Sequence, residues 1–316
     1  MGLGNRIGFK MRADMTTHQM FEPMYGSIIL EMVSDSPAGM LLGETTKEYT
    51  FESCGEKLDM AELQEIWESK LEPVYPYRKA GSAVEKINGS LTAPAAPKIG
   101  VAKPKVIIPV FPGTNCEYDT AKAFARAGAD PEILVIRNLT PADVAESCKA
   151  LVKAIDNSQI VMLPGGFSGG DEPDGSAKFI ASFFRNPAVT EAVRRLLQQR
   201  DGLMLGICNG FQALIKLGLV PYGDIRPITA YDPTLTFNTI GRHQSMLVST
   251  RIASTGSPWL SKCEVGEQFT VAISHGEGRF VAPQEVLDTL MKNGQIATQY
   301  VDIEGNPTMD QRYNPN

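Results

Sequence analysis

The sequence predicts an α/β protein with a mostly parallel sheet in its larger, C-terminal part, preceded by a small α+β region. Three observations carry that prediction. From Lys105 onward, apolar β-branched runs alternate with helical patterns, as successive βα units require. Gly206-Ile207-Cys208-Asn209-Gly210 stands between an apolar run and a helical pattern, the strand–turn–helix order of a nucleophile elbow. Pro164-Gly165-Gly166-Phe167-Ser168-Gly169-Gly170 follows another apolar run, and in parallel sheets the loops leaving the strands form the binding edge.

The first region runs from residue 1 to about 88. Ile28–Val33 is apolar and β-branched after Gly26-Ser27, which predicts a strand. Met40–Thr45 predicts a second strand or a strand end. Asp59 is placed to cap a helix on which Met60, Leu63, Ile66, Trp67 and Leu71 share one face, and Pro73 and Pro76 end it. Eight of the 13 methionines fall within the first 60 residues, where core filling is the simplest role for a flexible thioether. Asp14, Glu22 and Glu31 read as solvated charges. Residues 89–104 have linker composition, with small residues and prolines and no period.

The second region spans 105–316. Val106–Phe111 is a buried strand, Pro112–Asn115 its turn, and a helix continues to Gly128. Glu132–Ile136 is a strand. Pro141–Ile155 is a helix with Pro at its first position and Thr140 as cap. Gln159–Leu163 is the strand before the glycine turn. Helical stretches over 174–185 and 188–200 lead to the elbow strand and a helix over Asn209–Leu217. Further strands are expected over Ser245–Thr250 and Phe269–Ile273.

Composition excludes several classes. The chain has 43% hydrophobic and 21% charged residues, enough for a sizeable core. Its net charge is −6 with no Lys/Arg-rich run, which gives no electrostatic case for nucleic acid or an anionic membrane. The five cysteines are scattered without Cys-x-x-Cys, and His18, His243 and His275 do not cluster. That pattern argues against disulfide and zinc frameworks and fits a cytoplasmic location. No apolar run is long enough to span a bilayer.

A lone cysteine is by default a small core hydrophobe. The glycines beside Cys208, the strand before it and the helix after it point instead to a nucleophile held where helix N–H groups and the helix dipole gather. A backbone N–H from Gly165-Gly166 and that of Asn209 would then form an oxyanion hole. The glycines of 165–170 have two plainer readings, a phosphate cradle or a surface turn. His275-Gly276-Glu277 offers a base, a substrate contact or a loop tie, and His243 reads as a loop histidine.

Pro-Gly-Gly-Phe-Ser at 164–168, Gly-Ile-Cys-Asn-Gly-Phe-Gln at 206–212 and His-Gly-Glu-Gly-Arg-Phe at 275–280 together resemble phosphoribosylformylglycinamidine synthase in its long single-chain form. The resemblance covers its class I glutaminase domain from about Lys105 to Asn316. Met11–Met15 and Phe21–Gly26 resemble the end of the same enzyme's synthetase region, related to aminoimidazole ribonucleotide synthase. The resemblance implies a flavodoxin-like sheet with helices on both faces. It implies Cys208 as nucleophile on L-glutamine, with a glutamyl thioester and ammonia as products. Gly165, Gly166, Phe167, Asn209 and Gln212 become oxyanion or substrate contacts. His275 and Glu277 become a substrate loop or an alternative base. The synthetase region is the implied partner, and ATP and Mg²⁺ belong to it rather than to the glutaminase domain. The family's base lies in a His-Pro-Glu motif that this sequence lacks. The resemblance therefore implies a fragment that keeps the nucleophile and is impaired in turnover. Two other readings stand beside it: a silent packing module on a synthetase, and an independent γ-glutamyl hydrolase using His275.

Overall fold

In the computed structural model, residues 2–34, 39–72, 84–89, 100–170 and 177–316 are described. The chain forms two compact units, Met1–Arg78 and Lys79–Asn316. Among the described residues no helix is long and apolar enough to cross a membrane.

The first unit contains α1 (Gly2–Asn5), β1 (Gly8–Met11), α2 (Thr17–Phe21), β2 (Gly43–Thr46), β3 (Thr50–Ser53), β4 (Glu56–Asp59) and α3 (Met60–Ser69). Its sheet has the order β2-β1-β3-β4, antiparallel except between β1 and β3. The Asp59 carboxylate accepts the N–H groups of Ala61 and Glu62 at 2.8 and 3.1 Å and so starts α3 where the sequence requires. Two expectations fail here. No strand forms over Ile28–Val33, whose apolar side chains are exposed, Ile28 at 82%. A β-prone run becomes a strand only when a neighbour pairs with it and covers a face. Few of the methionines fill a core either: Met15 is buried, whereas Met24, Met32 and Met40 are exposed. Pro73, Pro76 and most of the predicted linker lie outside the described residues.

The second unit carries the parallel sheet. β5 (Lys105–Val110), α4 (Glu117–Arg126), β6 (Asp130–Val135), α5 (Pro141–Asp156), β7 (Ile160–Leu163), α6 (Lys178–Phe184), α7 (Pro187–Arg194), β8 (Leu203–Gly206) and α8 (Asn209–Leu217) follow the predicted order. The sheet order is β6-β5-β7-β8, all parallel. That is the start of the doubly wound, flavodoxin-like order. Strand side chains alternate between two cores, as the two-residue period requires. Ile107, Val161 and Leu163 pack with Leu151, Ile155, Phe184, Val189 and Leu214 of α5–α8. Val106, Ile108 and Met162 pack on the other face with Ala121 and Phe124 of α4. Thr140 caps α5 through a reciprocal pair with Asp143.

After α9 (Leu219–Tyr222) come β9 (Thr234–Phe237), β10 (Gln244–Ile252), β11 (Gln268–His275), β12 (Glu277–Val281), α10 (Gln284–Lys292) and β13 (Thr298–Val301). They make a three-stranded antiparallel sheet, β11-β10-β13, and a β12-β9 pair. β9, β12 and β13 are short and lack a clean alternation, and the sequence pattern did not predict them.

The units divide after Arg78, earlier than the 89–104 stretch expected from composition. Residues 84–89 belong to the second unit as an edge strap. Gly89 N–H donates to Ala253 O at 2.7 Å. The Gln299 carboxamide accepts from Ile87 N–H at 3.0 Å and donates to Glu85 O at 2.9 Å. Arg251, only 1% exposed, donates to Ile87 O, Asn88 Oδ1 and Gln299 Oε1. A buried guanidinium stripped of two of these acceptors is costly. A chain beginning at residue 100 is therefore expected to be less stable than one beginning at residue 84, by about 3 kcal/mol in urea unfolding. Equal midpoints would refute the role given to the strap.

Candidate active site

The elbow rests on close backbone contact. Ile207 N–H donates to Leu163 O at 3.1 Å, tying the end of β8 to the end of β7. A Cβ on Gly210 would overlap the Leu163 carbonyl, and one on Gly206 would stand 2.6 Å from the Gly210 carbonyl. Only glycine lets the first turn of α8 sit so close to both strands. Between them Cys208 is held at φ 54° and ψ −111°, outside the ordinary regions for an L side chain. Its side chain is exposed at the N-terminus of α8.

The glycine turn faces it. A Cβ on Gly165 would lie 3.3 Å from Cys208 Cβ and 3.9 Å from its Sγ. The turn after β5 zips onto this one: Asn115 N–H donates to Gly165 O at 2.9 Å, Phe167 N–H to Gly113 O at 2.8 Å and Gly169 N–H to Pro112 O at 2.8 Å. Gly166 has φ 133°, and a Cβ there would come within 2.6 Å of Asn115 N. Phe167, expected as an oxyanion or substrate contact, has its N–H spent on Gly113, whereas Gly166 N–H takes no part in the zipper.

Two buried carboxamides join the loops. Asn209 Oδ1 accepts from Ser168 N–H at 3.2 Å, and its Nδ2 donates to Gln212 Oε1 at 3.0 Å. Gln212 Nε2 then donates to Glu277 O at 2.9 Å. The Gln212 amide, expected as a substrate contact, is thus occupied as a tie between α8 and the His275–Glu277 loop. The Ser168 hydroxyl is buried here without a partner.

His275 ends β11 and Glu277 begins β12. The His275 ring lies over Gly278, where a Cβ would be 2.5 Å from Cε1 and 2.8 Å from Nε2. Its Nδ1 is 2.8 Å from Asn238 Oδ1. Burial pushes the imidazole pKa below its ordinary value, and His243 nearby lowers it further. His243 is itself exposed, with Nε2 2.9 Å from Ser274 Oγ. Asn238 escaped the sequence reading because β9, which places it, was not predicted. The available signal was an Asn in a Thr-Phe-Asn-Thr turn before Gly241. The structure therefore gathers Gly165, Gly166, Phe167, Cys208, Asn209 and Gln212 at one sheet edge and links Glu277 to them through Gln212. All five cysteines are free thiols.

The strained backbone favours glycine at position 208. Cys208→Gly is expected to be more stable than Cys208→Ala by about 1 kcal/mol, measured by thermal unfolding; the reverse order would mean the turn carries no strain. For His275 the folded pKa is depressed, so the unfolded chain binds the proton first as pH falls. Stability is then expected to drop as pH falls through the ordinary imidazole range. His275→Gln should flatten that slope in denaturation midpoints collected across pH.

Residues 103–316 match the family described as the CobB/CobQ-like glutamine amidotransferase domain. The phosphoribosylformylglycinamidine synthase subunit PurQ of Methanococcus maripaludis is 34% identical over 207 residues, covering 65% of this chain and 69% of the relative. That of Aquifex aeolicus is 32% identical over 218 residues, covering 67% and 79%. Among solved structures, PurLQS from Thermotoga maritima aligns over 67% of this chain and 84% of that chain at 23% identity, with a TM-score of 0.46. From residue 103 to residue 316 the chain belongs to the CobB/CobQ-like glutamine amidotransferase family, as a PurQ-like domain.

Proposed function

We propose that this chain supplies ammonia from L-glutamine for the synthesis of phosphoribosylformylglycinamidine in the cytoplasm. The observation that carries the reading is the exposed, strained Cys208 facing the Gly165-Gly166 turn. Cys208 Sγ attacks the side-chain amide carbon. The C–N bond breaks, the nitrogen takes up a proton and leaves as ammonia, and water cleaves the resulting glutamyl thioester to glutamate. Gly166 N–H and Asn209 N–H serve the oxyanion, one from the glycine turn and one from the start of α8.

Ammonia then goes to a synthetase that binds ATP and Mg²⁺ and converts formylglycinamide ribonucleotide to its amidine. In this reading ATP and Mg²⁺ belong to the synthetase. The relatives named above are subunits that this chain matches over about two thirds of its length. Residues before 103 lie outside the family match.

We read the first unit as synthetase sequence joined to the amidotransferase in one long chain. Its surface supports this. Met15 is its one buried hydrophobic side chain among the described residues. Ile66 and Trp67 of α3 are bare, as are Phe21, Tyr25, Ile28 and Leu30. Side chains of this size each cover up to 150–250 Å² for the aromatics, so the exposed group approaches the roughly 800 Å² a side of a standard interface.

Thiol labelling by a glutamine-like electrophile, read by mass spectrometry, tests the nucleophile without requiring turnover. Cys208 is expected to label at least about tenfold faster than Cys54, Cys116 or Cys263, with protection by L-glutamine and loss in Cys208→Ala. Labelling of Cys208 at the rate of the other exposed thiols would refute the reading.

A further inference from the structure

Asn238 is 2% exposed and uses every polar atom of its side chain on the His275 loop and the turn before it. Nδ2 donates to His275 O at 2.8 Å and to Arg242 O at 3.0 Å. Both acceptors are carbonyls, so the amide nitrogen faces them and the orientation of the carboxamide is fixed. Oδ1 is then the atom 2.8 Å from His275 Nδ1. A carbonyl oxygen can only accept, so the proton of this bond sits on Nδ1. The Asn238 backbone N–H adds a fourth bond, to Gly276 O at 2.8 Å. Gly278 gives the ring its place, since any side chain there would occupy it. With Nδ1 committed, Nε2 is the remaining polar atom of the ring, and it has no partner among the described residues.

This ring belongs to the loop that Gln212 ties to α8, one helical turn beyond Cys208. We propose that Asn238 is a positioning residue that holds His275 protonated on Nδ1, so that Nε2 is a fixed acceptor for an N–H donor of the bound amide substrate. The inference rests on the glutamine reading above only for the identity of the donor. The tautomer follows from the hydrogen bonds alone. Burial of the ring works in the same direction, because an imidazolium would have no acceptor for its second N–H. The outcome is a histidine that receives a hydrogen bond at Nε2 and does not give one there.

Long-range ¹H–¹⁵N correlation spectra of the full chain, labelled at the histidine ring nitrogens and assigned with His275→Gln, read the tautomer directly. At neutral pH His275 is expected to carry its proton on Nδ1. A proton on Nε2, or on both nitrogens, overturns the proposal. In Asn238→Asp the carboxylate can still accept from Nδ1, so the proton is expected to stay there while the ring titrates at higher pH. In Asn238→Ala the preference for Nδ1 is expected to be lost. An unchanged tautomer in a folded Asn238→Ala protein removes the role of Asn238, and the wild-type spectrum remains decisive if that variant does not fold. L-Glutamine added to Cys208→Ala is expected to move the Nε2 resonance and leave Nδ1 protonated. Binding of glutamine by calorimetry with no change at Nε2 overturns the ligand contact. Absence of any glutamine binding counts against the glutamine reading itself, and leaves the tautomer result standing.

Discussion

The closeness of α8 to the ends of β7 and β8 is the constraint on which the site depends. Gly210 lies against the Leu163 carbonyl and Gly206 against the Gly210 carbonyl, and no side chain fits at either place. The chain must reverse from strand to helix within Ile207 and Cys208, and Cys208 takes up the backbone strain. A relaxed turn would move the helix away from the sheet and draw the sulfur off the line of the Gly165 backbone. The Cys208 side chain is therefore exposed at the edge of a close-packed core, in which Leu163, Ala213 and Leu214 are buried.

Rigidity at this edge comes from polar ties between loops as much as from the core. The turns after β5 and β7 are stitched by three backbone bonds, which fixes the plane of Gly166. Asn209 and Gln212 extend the stitching from that turn through α8 to Glu277. Buried amides that satisfy one another in this way are costly to rearrange, because any change leaves a donor or acceptor unpaired away from water. Asn238 repeats the principle around His275, with four bonds from a single residue. Loop conformation at the site is thus set by side-chain amides bonded to neighbouring loops.

The two units rest on different balances. The second has two apolar cores on the faces of its parallel sheet and a buried Arg251 that binds the strap of residues 84–89. The first has hydrogen-bonded secondary structure and exposed apolar side chains, with α3 capped by Asp59 and its Ile66 and Trp67 uncovered. A sheet and helix with so little buried area do not offset the conformational entropy of ordering a chain of this length.

Local chemistry determined much of this protein from sequence alone. The alternation of apolar runs and helical patterns determined the βα order from Lys105 to Leu217. Thr140 and Asp59 determined two helix starts, since a cap acts within one turn. The Gly-x-Cys-x-Gly spacing determined the elbow, because backbone clearance depends on the adjacent residues themselves. What only the tertiary structure decided involves partners distant in sequence. Ile28–Val33 has the composition of a strand, yet among the described residues no strand pairs with it. The Phe167 N–H meets Gly113 and the Gln212 amide meets Glu277, partners that no local pattern names. The strap bound by Arg251 read as part of the first region, since a linker's composition does not say which sheet edge it will join. Asn238 shows in the sequence only as a turn residue, because its meaning lies in three carbonyls and a ring nitrogen that the fold brings to it.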